Sequence, residues 1–188
     1  MISEDRFQNF DWEDFNPDAC EPIPLDILIP RGKSLSTHCF VDANHIGDKI
    51  TRIFMTGIII FCNRALIIWY SKRQNGVQMS TFGSEFTAMK DSIELIAALR
   101  YKLRMFGVPM DGSTDIFCGN ESVYKNTSTP ESQIRKKQNS ILYHISREAV
   151  ASGACRMAKN DTKTNLSDLF TTVLPHPRTE LLLNSFVY

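Results

Sequence analysis

With 188 residues, 43% of them hydrophobic and 22% charged, the chain is long enough to bury a core of its own, about 70% of its unfolded surface. That composition excludes wholesale disorder, collagen-like repeats and a coiled coil. Basic and acidic residues balance at 21 each, but residues 1–36 hold eight acids against three bases, a net of −5, which leaves +5 on the rest. A modestly basic body therefore follows an acidic lead-in. Five widely spaced cysteines with no Cys-x-x-Cys pair, and only four histidines, argue against a disulfide framework and against structural zinc. The start, MISEDRFQNFDWEDF, lacks the basic n-region and apolar run of a signal peptide. A cytoplasmic or nuclear, non-secreted protein is expected, and the Asn-x-Ser/Thr matches at Asn120, Asn126 and Asn165 are read as chance.

In chain order, residues 1–36 contain Pro17, Pro22, Pro24 and Pro30 and show no sustained period, so they read as a linker or extended arm. Trp12 and Phe15 are its candidate docking residues. HCFVDANH reads as a first strand. RIFMTGIIIFCNR and ALIIWYSKRQ read as two more, meeting at Asn63-Arg64 as a hairpin. Arg64 at the midpoint and Gly57 in the first run argue against a membrane span. From Ser80 the period lengthens: Phe86, Met89, Ile93, Ile96, Ala97, Leu99 and Leu103 recur at helical spacing, with Ser80 or Thr81 as cap and Gly107 as stop. TDIFCGN reads as a fourth strand. A second helix is predicted over about 132–151, ACRMAKN as a fifth strand, and NLSDLFTTVL as a closing helix capped by Asn165 or Ser167. The order βββαβαβα predicts an α/β fold, a five-stranded mixed sheet of three antiparallel strands and then two parallel ones, with helices packed on it. The expected division is an arm (1–36), a folded domain (37–175) and a C-terminal tail (176–188).

Three acids stand out in this order. Glu85 in the first turns of the long helix and Asp168 in the opening turn of the last can be explained by the helix dipole alone. Asp42 is less ordinary, because a carboxylate inside an apolar strand is costly unless it is paired, hydrogen-bonded or bound to metal.

The residues around these acids resemble the ribonuclease H domain of copia-type LTR retrotransposon polyproteins. CFVDANHIGD resembles that family's "VDADWAGD"-like opening strand. WYSKRQ followed by MSTFGSEFTAMK is similar to its "SKRQ…STxxxEY" stretch, FCGNESV to "CDNxSA", KKQNSILYHISREAVASG to its long helix, and NLSDLFTTVL to "ADxxTKxL". The resemblance covers residues 37–175 in order, and 5–36 look like the connection from a preceding reverse transcriptase. It implies an RNase H-like fold and Mg²⁺-dependent (or Mn²⁺-dependent) hydrolysis of the RNA strand of RNA/DNA hybrids. It also implies that Asp42, Glu85 and Asp168 are three of four metal-binding, catalytic carboxylates. The chemistry suits such a cluster: two Mg²⁺ ions about 4 Å apart activate a water and stabilise the leaving oxygen of a phosphodiester, and magnesium prefers hard oxygen ligands.

The chain departs from this pattern at the fourth carboxylate. Where the family has the Asp of "CDN", this chain has Gly119, which offers no ligand. Glu121, two residues on, needs a local rearrangement to substitute, and Asp115 sits about 13 Å away along the strand. Thr172 replaces the Lys of "TK", and Gln138 a usual His. Metal is therefore expected to bind weakly and hydrolysis to be impaired. Lys72, Arg73 and Asn120 are the candidate nucleic-acid contacts, with Lys102, Arg104 and Arg135-Lys136-Lys137 as weaker ones. Such contacts would be sequence-blind and salt-dependent. Expected partners are an RNA/DNA hybrid or other nucleic acid and other polyprotein parts, with no membrane. The rival expectation is a non-catalytic nucleic-acid- or protein-binding module, or a retrotransposon remnant, and Gly119 is its support.

Overall fold

The structure is a computed structural model and describes residues 11–12, 14–44, 53–76, 80–133 and 139–186. Residues 134–138 of the expected second helix, with Gln138 and the Arg135-Lys136-Lys137 cluster among them, and Phe10 of the arm lie outside the described residues.

Five strands form one mixed sheet in the order β3-β2-β1-β4-β5. Strands β1 (Thr37–Asn44), β2 (Met55–Cys62) and β3 (Ala65–Arg73) pair antiparallel. The β2–β3 turn is Asn63-Arg64, with Asn63 at φ +54°, a left-handed conformation that asparagine tolerates in tight hairpins. Interior strand β2, MTGIIIFC, is almost wholly buried, while the edge strand β3 alternates half-buried and exposed positions. The continuous apolar run and the alternating one thus mark the inside and the edge of the same sheet. Strands β4 (Thr114–Cys118) and β5 (Cys155–Lys159) then add in parallel beside β1.

Helix α1 (Thr81–Met105) starts at the Ser80 cap, whose hydroxyl accepts from the Gly83 amide, and ends at Phe106 before Gly107, which takes φ +67°. It packs Phe86, Met89, Ile93 and Ile96 against Cys39, Val41, Ile58, Ile60 and Ile116 on one sheet face. The opposite face carries a smaller cluster of Ile59, Phe61, Leu166 and Leu182 with Phe40, which stacks on Phe117 at 4.9 Å. No helix among the described residues is long and apolar enough to cross a membrane.

Four elements differ from the sequence expectation. Residues 121–128, read as polar strand flank, form a short helix α2 (Glu121–Ser128), because Asn120 Oδ1 accepts from the Ser122 and Val123 amides and caps it. Ser132 and Gln133 are not helical, and helix α3 runs Ser140–Ala151. The closing helix is a five-residue 3₁₀ turn, η1 (Leu166–Phe170), capped by Asn165. The β-branched run Thr171-Thr172-Val173 follows it and disfavours continuation. After Pro175 the chain forms a further helix, α4 (His176–Leu183), within the segment expected to be tail, and Leu182 is buried on the second sheet face.

The arm is tied to the body. Glu21 takes both oxygens to Arg100 (2.6 and 2.9 Å) and also pairs with Arg104. Arg31 and Leu35 bond to the chain after α1 at Gly107 and Pro109. Of the two expected docking residues, Trp12 lies under the Arg147 guanidinium, 5.0 Å from the ring centroid, whereas Phe15 is exposed.

Candidate active site

Three elements bring Asp42, Glu85 and Asp168 to the C-terminal end of β1. Asp42 follows Phe40 by two residues and shares its sheet face, which is the face η1 covers. The Thr171 hydroxyl, just past η1, donates to Asp42 Oδ2. Glu85 comes from α1 on the other side and accepts from the Ala43 amide, which Asp42 also uses. It lies one turn into α1, beyond the first-turn positions, which hold no acid, so the helix dipole does not account for it. Asp168 sits in the opening turn of η1, and Arg178 of α4 pairs with its Oδ2.

The electrostatics show that the three acids share one environment. Burial pushes Glu85 up to about 9, and the charges of Asp42 and Asp168 add to the rise. Burial raises Asp42 as well, against the Thr171 hydrogen bond, the Ala43 amide and the positive field of Arg178. Asp168 is pushed up to about 6 by burial and then by Asp42, with Arg178 opposing. Glu85 and Asp168 each feel Asp42 as a like charge, and Glu85 feels Asp168 as well, which happens only between neighbours.

Local sequence explains the convergence. Gln74, the last residue of the SKRQ run, is buried and donates to Thr56 Oγ1 and to the Ser84 carbonyl (3.0 and 2.8 Å), pinning the start of α1 beside β2 and with it Glu85. Gly57 lies opposite Asp42 in β1 and Ser71 in β3. A Cβ at Gly57 would meet Thr171 Cγ2 at 2.6 Å and the Ser167 carbonyl at 2.7 Å. Only a glycine lets η1 sit this close to the sheet. Ser71 Oγ donates to the Phe170 carbonyl, Asn165 Nδ2 to the Val41 carbonyl, and Asn44 to Thr172, so η1 is held at several points.

Gly119 follows β4 beside this cluster. The neighbouring Cys118 thiol is pushed up to about 12, first by burial and then by the charge of Glu85. Gly119 also lines a cavity of about 600 Å³ with Glu121, Lys159, Asn160, Asp161 and Thr162. A Cβ built on it meets nothing closer than Thr162 Cγ2 at 3.4 Å. Glu121 is engaged elsewhere, by Lys125 and Lys159 at 2.8 Å each, and these hold it down to about 2. Asp115 is paired with His38 and Arg156 toward the other end of β1. Among the described residues no three His, Cys, Asp or Glu side chains form a ready-made metal cage. Lys72 and Arg73 are exposed at the end of β3, and Asn120 spends its side-chain carbonyl on capping α2. Sequence reasoning missed Gly57, Thr171, Gln74 and Arg178. The linear signals for them are that Gln74 falls inside the SKRQ run and Thr171 on the Thr of the "ADxxTKxL"-like run.

Comparison with known proteins agrees with the geometry. No family model matches the chain. Over 148 residues, 79% of its length, it is 29% identical to the retrovirus-related Pol polyprotein from transposon RE1 of Arabidopsis thaliana. It is 27% identical over 142 residues to the corresponding polyprotein from transposon TNT 1-94 of Nicotiana tabacum. The chain spans about a tenth of the length of these relatives (10% and 11%). Among solved structures, the N-terminal RNase H domain of rv2228c from Mycobacterium tuberculosis matches with a TM-score of 0.55 at 8% identity, covering 81% of this chain and 96% of that one. LC11-RNase H1 in complex with RNA/DNA hybrid matches at 0.57 and 11% identity, covering 72% and 94%. The fold is RNase H-like, and the sequence is similar to part of copia-type Pol polyproteins.

Proposed function

We propose that this RNase H-like domain of a retrotransposon-type polyprotein engages RNA/DNA hybrids, with a hydrolytic centre made of Asp42, Glu85 and Asp168 and impaired by Gly119. The observation that carries this reading is the meeting of those three acids, from β1, α1 and η1, in one electrostatic environment. One of the matched folds was solved in complex with an RNA/DNA hybrid. The donor chemistry fits a hard divalent cation, and the raised carboxylates report that negative charge is disfavoured here, a cost that such a cation would offset. Asp42, Glu85 and Asp168 would hold it. When bound, a Mg²⁺ or Mn²⁺ ion supplies Lewis-acid activation of water and phosphate. The chain's own residues supply the rest: Thr171 orients Asp42, Gln74 fixes the start of α1 and therefore Glu85, and Gly57 lets η1 bring Asp168 down to the sheet. With no side chain at Gly119, the cradle for a second ion is incomplete.

The test is cleavage of a labelled RNA/DNA hybrid in Mg²⁺ and in Mn²⁺ by this chain and its Gly119→Asp and Asp42→Asn variants. The space at Gly119 admits an aspartate, so Gly119→Asp is expected to raise cleavage by about a hundredfold, the scale of one well-placed electrostatic group. Asp42→Asn is expected to abolish it. Equal, Asp42-dependent cleavage by the unaltered chain would refute the impairment. If no variant cleaves, the reading of a residual nuclease centre fails. The second reading, a non-catalytic hybrid-binding module, is favoured by Gly119 itself and predicts hybrid binding that Gly119→Asp leaves unchanged.

A further inference from the structure

Arg178 reaches the acidic cluster from α4, outside the stretch that resembles the ribonuclease domain. Its Nη2 donates to Asp168 Oδ2 and, at 2.7 Å, to the Thr162 carbonyl. Leu182, one turn further along α4, is buried on the sheet, so the fold holds the guanidinium here. Its positive field extends past Asp168 to Asp42. The two nearby lysines that line or flank the Gly119 cavity, Lys159 and Lys125, are occupied by Glu121 and do not serve the cluster. The Arg178 Nε is buried with no acceptor, so this guanidinium is seated with one donor unused and leaves its place at less cost than a fully bonded one.

We propose that Arg178 is the resident cation of the acidic cluster. It neutralises Asp168 as a divalent ion would, and it must move off that carboxylate before such an ion binds there. The inference rests on the reading of Asp42, Glu85 and Asp168 as a metal site. A guanidinium beside Asp168 and a divalent cation sharing the same carboxylate lie within a few ångströms and repel each other, and in partly buried surroundings that repulsion lowers ion affinity by at least about tenfold. The chain therefore chooses between an internal ion pair and a bound metal, and Arg178 sets the metal concentration at which it switches.

The experiment is titration of the whole chain with Mn²⁺, following free Mn²⁺ by electron paramagnetic resonance, for the unaltered protein, Arg178→Gln, Arg178→Lys and Asp42→Asn, with a thermal melt of each. Arg178→Gln removes the charge while keeping a polar side chain that can donate a hydrogen bond, and it is expected to bind Mn²⁺ about tenfold more tightly. Arg178→Lys is expected to bind like the parent, and Asp42→Asn to lose binding. A purely structural role for Arg178 would lower the melting temperature without tightening the metal. Unchanged or weaker binding by Arg178→Gln, with Asp42-dependent binding retained, overturns the role of Arg178 and leaves the metal site standing. If no protein in the set binds Mn²⁺ in an Asp42-dependent way, the metal site itself fails, and this inference with it. Should Arg178→Gln not fold, nuclear magnetic resonance of the Arg178 Nε–H in the unaltered chain decides. Displacement by Mg²⁺ shifts that signal, and a signal unmoved at saturating Mg²⁺ overturns the proposal.

Discussion

Glu85 concentrates the tension in this site. Its carboxyl is raised from an ordinary 4.5 to about 9, first by burial and then by Asp42 and Asp168, and Asp168 rises from 3.8 to about 6. A raised carboxyl means that the folded chain holds its proton more tightly than the unfolded chain does. The stability this lends is full below the unfolded value and is lost as pH climbs through the folded one. In chelator, the melting temperature is therefore expected to fall as pH rises from 4.5 to about 9. Glu85→Gln, neutral throughout, is expected to flatten that slope and melt higher at its alkaline end. A parent chain that melts higher as pH rises would contradict the shared environment of the three acids. Gly57 is the steric counterpart. Gly57→Ala places a methyl at 2.6 Å from Thr171 Cγ2 and 2.7 Å from the Ser167 carbonyl, overpacking expected to cost about 1–3 kcal/mol in urea unfolding. Adding Thr171→Ser removes the nearer clash while keeping the hydroxyl on Asp42, so the double variant should recover part of the loss. A neutral Gly57→Ala would mean that η1 is not seated as tightly as these distances imply.

Among the elements, the arm gives the clearest energetic case. Arg100 is 3% exposed, and Glu21 neutralises it from a segment without secondary structure. Burial works to raise the Glu21 carboxyl, but the hydrogen bonds from Arg100 and Arg104 outweigh it and hold the group below its ordinary value. Glu21→Gln leaves a buried guanidinium without its countercharge and is expected to destabilise the chain by about 3–5 kcal/mol, measurable by chemical denaturation. A loss below about 1 kcal/mol would fit only a surface pair. The sequence could announce strands β1 to β5 and helix α1, because their apolar runs or periods are clear and are bounded by signals such as Asn63, Ser80 and Gly107. It hid α2 and α4, which are short and weakly patterned and depend on a cap at Asn120 or on a proline start at Pro175, and it placed η1 with its Asn165 cap but as a longer helix. The same holds for the site. Asp42, Glu85, Asp168 and Gly119 could be singled out from local runs, whereas Arg178, Thr171 and Gly57 matter only through interactions that the fold makes across long separations.

At the scale of the whole molecule, the charge asymmetry bears on how a hybrid duplex would be held. The −5 of residues 1–36 offsets the +5 of the rest, and Glu21 spends two of the body's arginines on the arm. Little basic surface is left to meet phosphates. Lys72 and Arg73 end β3 at the same end of the sheet as the acidic cluster, because Arg73 pairs with Met55 and Met55 with Asn44, two residues beyond Asp42. By strand alternation Arg73 shares a face with Ser71, which bonds to η1, while Lys72 faces the side of α1, where its charge reaches Asp91. A duplex laid over the cluster would thus meet one base on each side of the sheet end. Fluorescence anisotropy of a labelled hybrid against salt should show a shallow dependence, and Lys72→Ala with Arg73→Ala should reduce the slope of log K on log salt by about two, roughly 0.9 for each phosphate no longer neutralised. Asp42→Asn, which removes a negative charge from beneath the duplex, should strengthen binding while abolishing metal-dependent cleavage. A slope untouched by the double substitution would place the duplex on another face of the sheet, away from the end where the three carboxylates meet.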